Sequence, residues 1–287
     1  MSSQKEIKTR IASVSSTMKI TSAMKMVASA KLHKAQKNSE TFVPYQHKLE
    51  AMLRNFLSTE TSFTSPYAEQ REPKRVAIVA VSSNSSLCGA FNSTVIRELN
   101  RLIDQYDASV GRENLLVFPI GKKVYDACRK RGFQPENLNE LIDNPHYDAA
   151  TAFADRLMAL FANHEVDRVE LVYQHCKSTS TQQLVHTDFL PISLEADAEG
   201  VSLGADYIVE PSKSEILAEL LPKVLRLKIY SVLLDSYAAE QAARTVAMQV
   251  ATDNANDLLQ ELTIQYNKSR QQAITNELLD IIGGTQK

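Results

Sequence analysis

The 287-residue chain has no tryptophan and only three cysteines, eight glycines and nine prolines. Cys88, Cys128 and Cys176 form an odd, sparse set without a CxxC pair. That excludes a disulfide framework and the usual zinc motifs, and it favours a reducing compartment. No run of eighteen apolar residues occurs, so no stretch reads as a membrane span. The first ten residues, MSSQKEIKTR, carry no apolar signal core and lead straight into helical pattern, which makes cytosolic synthesis and residence the expectation. A net charge of −2 gives no global preference for nucleic acid. What is present suits a packed protein: 44% hydrophobic and 23% charged residues.

The missing residues are missing unevenly. Lys223–Ile282 contains neither glycine nor proline, and it opens after Pro222 and closes at Gly283–Gly284. Sixty residues without a breaker predict one continuous helix, about 90 Å long at 1.5 Å per residue. Residues 4–43 are likewise free of both. There Ile7, Ile11, Val14 and Met18 follow the 4, 3, 4 spacing of a coiled-coil seam. Thr21 and Lys25 interrupt it, and Met24, Val27, Ala28, Leu32 and Ala35 resume it on a shifted face. Pro44 is expected to kink or divide this helix, whose pattern continues through Leu49, Met52, Leu53 and Phe56. From Ile7 to Ser39 there are seven Lys or Arg and no Asp or Glu. On composition alone that is a solvated face.

The middle obeys other rules. Val76–Val81 and Leu115–Ile120 are apolar, β-branched runs of the kind buried on both faces of a sheet. Helices are expected over 92–106, 122–131 and 147–163, and further strands over 168–173 and 182–189. This alternation predicts a Rossmann-like α/β domain. A surface loop over 195–205 and an edge strand over 207–209 should follow. Ser212 and Glu215 then form a capping box, and Pro222 should kink the helix beyond it. The expected division is 1–57, 58–74 (linker), 75–210 (α/β domain) and 211–287. The fold class is α/β, with a long antiparallel coiled coil of the terminal helices.

If the terminal helices pair, they pair antiparallel. The second outruns the first by roughly twenty residues, about 30 Å. Ala238, Ala239, Ala242, Ala243, Ala247, Ala251 and Ala255, facing Ala23, Ala28 and Ala30, predict a close approach of the axes. The surplus, around Ile264–Ile282, keeps apolar side chains that an isolated helix in water cannot bury, so a partner must enclose it.

YAAEQAARTVAMQVATDNANDLLQELTIQYNKSRQQAITNELLDIIGG (Tyr237–Gly284) closely resembles the C-terminus of the γ subunit of F-type ATP synthases, bacterial type. IKTRIASVSSTMKITSAMKMVASAKLHKAQ (Ile7–Gln36) resembles that family's N-terminal helix, and SSNSSLCGAFN (Ser82–Asn92) its first loop. The resemblance implies a non-catalytic central rotor without cofactor. Its helices would stand inside a ring of three α and three β subunits. Its α/β domain would rest on the ε subunit and the membrane c-ring, peripheral to the cytoplasmic face of the plasma membrane. By similarity Arg270, Gln271 and Thr275 meet a β-subunit catch loop. Arg244 makes a contact of the same type, and Met24 and Lys25 face an acidic β segment. The family's Asp-Arg-Gly is here Asn84-Ser85-Ser86, and Ala90 replaces its second Gly, which leaves any role of that loop open. The cysteine-bearing insert of chloroplast relatives is absent, so thiol regulation is not expected.

The alternative reading is an α/β enzyme or binding module on a coiled-coil stalk. Ser82–Asn92 follows a buried strand, where phosphate loops sit, but it has one glycine and no P-loop lysine. Cys88 lacks the spacing of a nucleophile pair with His175 or His186, and His175–Cys176 is half a metal site at most.

Overall fold

The computed structural model describes residues 4–59, 64–192, 210 and 212–284. The expected loop over 195–205 and strand over 207–209 lie outside these residues. Contacts group the chain into two compact units, residues 30–243 and residues 1–29 with 244–287. Two helices contribute to both: α1 (Gln4–Thr59) and α6 (Lys213–Gly284).

In the larger unit the apolar runs form strands where their composition places them. β1 (Val76–Val81) lies between β2 (Leu115–Ile120) and β3 (Arg168–Cys176), both parallel to it. β4 (Gln182–Leu190) adds antiparallel to β3 at one edge. All six residues of β1 are buried, because the sheet is covered on both faces. Val76, Ile78 and Ala80 pack with Val95, Leu99, Leu102 and Ile103 of α2 (Phe91–Val110) and Val124 of α3 (Lys122–Lys130). Ala77, Val79 and Val81 pack the other way, against Phe153, Leu157 and Phe161 of α5 (Tyr147–Ala162). A short helix α4 (Glu140–Asp143), not anticipated from the pattern, adds Ile142 to that side.

The C-terminal helix also belongs to this core. Leu225, Ile229, Val232 and Leu233 of α6 are at most 5% exposed and lie in the same cluster as α5 and the sheet. Completely burying such side chains stabilises by about 1.5–3 kcal/mol each. This explains why α6 does not stop at Pro222. The helix begins at Lys213, behind Ser212 and Glu215. Ser212 Oγ accepts the Glu215 amide N–H at 3.2 Å and donates to Glu215 Oε1 at 3.0 Å. Leu217, Leu220, Leu221 and Leu225 are buried around the proline, and they offset the roughly 3 kcal/mol that an internal proline costs. Likewise Pro44 sits inside an unbroken α1.

Within this unit α1 runs antiparallel to α6. Leu53 and Phe56 pack with Leu217, Leu220 and Leu221. The Phe42 and Tyr230 rings meet edge-on at 5.0 Å. Leu32 and Ala35 reach Ala238 and Ala242. The alanine run serves two neighbours, since Ala239 and Ala243 lie one helical row over, against Cys88 and Phe91.

In the smaller unit the seam of α1 passes through Ile7 and Ala28, which are buried, with Ile11, Val14 and Met18 half-buried. Met248, Ala255 and Leu262 of α6 are buried. The resumed stripe is narrower than its spacing suggested. Val27 is 57% exposed, and Ala23 here and Ala30 in the larger unit also face solvent, while Met24 is half-buried and Ala28 is buried.

Two loops behind the sheet depend on single residues. Asn84 Oδ1 accepts the Lys122 amide N–H at 2.8 Å, while its Nδ2 donates to the Asn139 carbonyl at 2.9 Å. An ionised aspartate, which only accepts, could not make the second bond. Gly121 has φ +100°, and a Cβ there would stand 2.3 Å from the Ser82 carbonyl oxygen. Gly121→Ala is therefore expected to lower stability by about 3 kcal/mol, measured as a fall in the denaturation midpoint; an unchanged midpoint would refute the close approach.

Burial pushes the Cys128 thiol up to about 12, and burial beside the Asp235 carboxylate raises the half-buried Cys176. Cys88 is buried. Folded protein at pH 8 should expose a single, slowly reacting thiol to a thiol reagent, Cys176, and release the other two only on denaturation. Rapid labelling of Cys88 or Cys128 would contradict this packing.

Candidate functional site

The two residues that break the α1 seam are met by polar partners on α6. Thr21 Oγ1 and Thr252 Oγ1 lie 2.8 Å apart, and each also reaches a carbonyl of its own helix, Met18 and Met248 respectively. A hydroxyl has one proton, so one threonine donates across the seam and the other back to its helix. One turn on, Lys25 Nζ donates to Gln249 Oε1 at 2.6 Å. Gln249 Nε2 donates in turn to both carboxylate oxygens of Asp253, at 2.8 and 2.9 Å. The interruption is thus a matched polar band, and it fixes the register of two otherwise apolar, slippery faces. Gln249 and Thr252 were not singled out from the sequence. The signal for them lay in the antiparallel alignment of α6 with Thr21 and Lys25.

Of the residues carried over by resemblance, Met24 and Lys25 are half-buried beside this band, and Lys25 spends one of its three N–H donors on Gln249. Arg244 is buried, at 8% exposure. Ser236, Glu240 and Gln241 are buried on the same helix in the other unit, and none of the three was flagged by hydrophobic spacing. Arg270, Gln271 and Thr275 are exposed. Thr275 Oγ1 donates to the Gln271 carbonyl at 2.9 Å, which leaves its lone pairs and methyl outward. At about 100° per residue these three span roughly 140° of the helix surface. Ile274, Leu278 and Ile281 fall within the same arc and are 49%, 55% and 64% exposed. Leu262, 4% exposed, is the last buried side chain described on α6. Beyond it the helix presents a mixed apolar and hydrogen-bonding surface to its surroundings.

His175 and Cys176 serve another purpose than metal binding. Asp235 Oδ2 lies 2.6 Å from His175 Nδ1, and Asp235 Oδ1 accepts the Cys176 amide N–H at 2.9 Å. Among the described residues no group of three His, Cys, Asp or Glu is placed to hold a metal ion. None of the described helices is long and apolar enough to cross a membrane.

A family model described as ATP synthase matches residues 3–286. The ATP synthase gamma chain of Phocaeicola vulgatus is 55% identical over 288 residues, which is 99% of this chain and 99% of that protein. The chain belongs to the ATP synthase gamma-chain family. The gamma chain of Bacteroides fragilis is also 55% identical, with 99% of each chain covered. Among solved structures, a chain of the central stalk and c-ring of Tetrahymena thermophila mitochondrial ATP synthase is 26% identical. It has a TM-score of 0.60, with 81% of this chain and 99% of that one covered. A chain of the Euglena gracilis mitochondrial ATP synthase shares the fold, at TM-score 0.65 and 21% identity over 99% of this chain and 93% of that one. In this family member the polar band makes a quantitative claim. A double-mutant cycle of Thr21→Val and Thr252→Val on stability should show a coupling of about 1 kcal/mol, whereas strict additivity would mean the hydroxyls do not meet.

Proposed function

We propose that this chain is the central shaft of an F-type ATP synthase. It couples rotation of a membrane c-ring to the conformational cycle of the catalytic β subunits in an α3β3 ring. The chain itself carries out no chemistry in this reading. It works with the ε subunit at the α/β domain, and it is held peripherally at the cytoplasmic face of the bacterial plasma membrane through the complex. The observation that carries the proposal is the exposed end of α6, where Ile264, Ile274, Leu278 and Leu279 are 49–69% exposed. A sleeve of apolar surface around it would act as a bearing. Arg270, Gln271 and Thr275 on one arc would make the contact different for each β conformer, and such a difference is what shifts a conformational equilibrium. Arg244 is assigned the same kind of contact. Met24 and the remaining N–H donors of Lys25, with the other exposed lysines of α1, suit an acidic β segment.

The reading as an enzyme or binding module is disfavoured by a specific contact. In open α/β sheets ligands enter at the carboxyl ends of the strands, beside the following helix. Here Ala239 and Ala243 of α6 pack against Cys88 and Phe91 at the start of α2, where a ligand would sit.

Two measurements test the proposal. Purified from its source, the chain should be found at one copy with a 3:3 nucleotide-binding hexamer; its absence from such a complex overturns the rotor reading. Deletion from residue 264 onward should abolish or strongly reduce coupled ATP synthesis while the α/β domain still melts cooperatively. Full coupling without those residues would remove the assigned role of the exposed end.

A further inference from the structure

Apolar packing holds α6 against the sheet and sets which face it turns inward, but it fixes the rotation only coarsely. Dispersion and hydrophobic contacts are non-directional, so small rolls on the seat meet less resistance than the stretching of a hydrogen bond. Four polar contacts from three different elements meet α6 beside that seat. Arg226 Nε donates to Asp155 Oδ1 of α5 at 2.6 Å. Lys228 Nζ donates to the Asp188 carbonyl of β4 at 3.0 Å. Asp235 takes the Cys176 amide N–H at 2.9 Å and the His175 ring at 2.6 Å, both from β3. The placement around the helix matters more than the number of contacts. At about 100° per residue, Leu225, Ile229, Val232 and Leu233 centre one stripe, with Arg226 roughly 75° to one side and Lys228 and Asp235 roughly 95° to the other. A roll in either direction pulls one of the flanking contacts apart. Among the described residues the buried part of the cluster that seats α6 on the sheet contains none from α1, which reaches it at the margin, where Phe42 meets Tyr230.

We infer that Arg226 and Asp235 form a roll lock, positioning residues that make the α/β domain turn with α6, so that torque passes between domain and shaft through α6. The inference rests on the rotor reading above. Asp235 is suited to the task because its two oxygens grip a backbone amide and a side chain of one strand end. The backbone contact cannot swing away, and the charge-assisted contact strengthens it. Arg226 reaches a side chain of α5 from the opposite flank.

The test uses the complete ATP synthase complex carrying the full-length chain, reconstituted in sealed vesicles. It reads protons taken up per ATP hydrolysed, with the melting temperature of the isolated chain measured alongside. The Arg226→Ala, Asp235→Ala double variant should assemble and melt within a few degrees of the unmodified chain, since these contacts are partly solvated. It should hydrolyse ATP yet pump about threefold fewer protons per ATP. Asp235→Asn keeps an acceptor for the Cys176 amide and should fall between. A merely structural role would move the melting temperature and leave the pumping ratio alone. An unchanged ratio in the assembled double variant overturns the roll lock. If the double variant does not assemble, Arg226→Ala and Asp235→Asn decide singly, and an unchanged ratio in both overturns it. Failure of the unmodified chain to support any pumping would instead strike the rotor reading itself.

Discussion

The rest of the structure depends on α6 being packed on more than one side. Leu225, Ile229, Val232 and Leu233 make it a layer of the α/β core, while Ala238 and Ala242 make it the partner of α1. A helix seated in both directions has little room for bulk, and the alanine run follows from that. Ala239 and Ala243 are needed for the same reason, because the loop around Cys88 and Phe91 approaches from a third side. The same seating keeps the helix intact across Pro222. One packing constraint therefore accounts for the composition of α6 and for its continuity, and it sets Ala239 and Ala243 against Phe91 at the start of α2.

Directional contacts supply what apolar packing leaves free. Between the helix ends in residues 1–29 and 244–287, Thr21 with Thr252 and Lys25 with Gln249 fix register. Within residues 30–243, Arg226 and Asp235 fix the rotation of α6 against the sheet. In both places the polar groups interrupt or flank an apolar stripe, and a small loss in burial is exchanged for a defined geometry. A part that transmits torque needs that geometry more than it needs added stability.

Much of this was legible in the sequence, and the limits are physical. Val76–Val81 and Leu115–Ile120 were readable to the residue, because strands buried on both faces have no polar positions to blur their ends. Strand β3 ran past its apolar run, since Gln174, His175 and Cys176 are held by pairing with Leu184, Gln183 and Gln182 of β4. The long helix was expected to open after Pro222, and burial of the surrounding leucines carries it back to Lys213. Helical spacing put Val27 in the seam, but spacing cannot say which of two adjacent rows is covered. The meeting of Lys25 with Gln249 is a long-range pairing that no local pattern encodes. Arg270, Gln271 and Thr275 look like ordinary surface residues in composition and in structure alike. Only the resemblance to the gamma-chain family gives them a part.

The central claim is that the α/β domain and α6 move as one turning body. It is tested most directly by watching them turn. The tip between β3 and β4, Lys177–Thr181, is exposed and can carry a probe. With the catalytic hexamer fixed to a surface and ATP supplied, a probe at Ser180 should rotate in one direction, with three equal pauses per revolution. A probe that stays still, or only jitters, while ATP is hydrolysed would contradict the account.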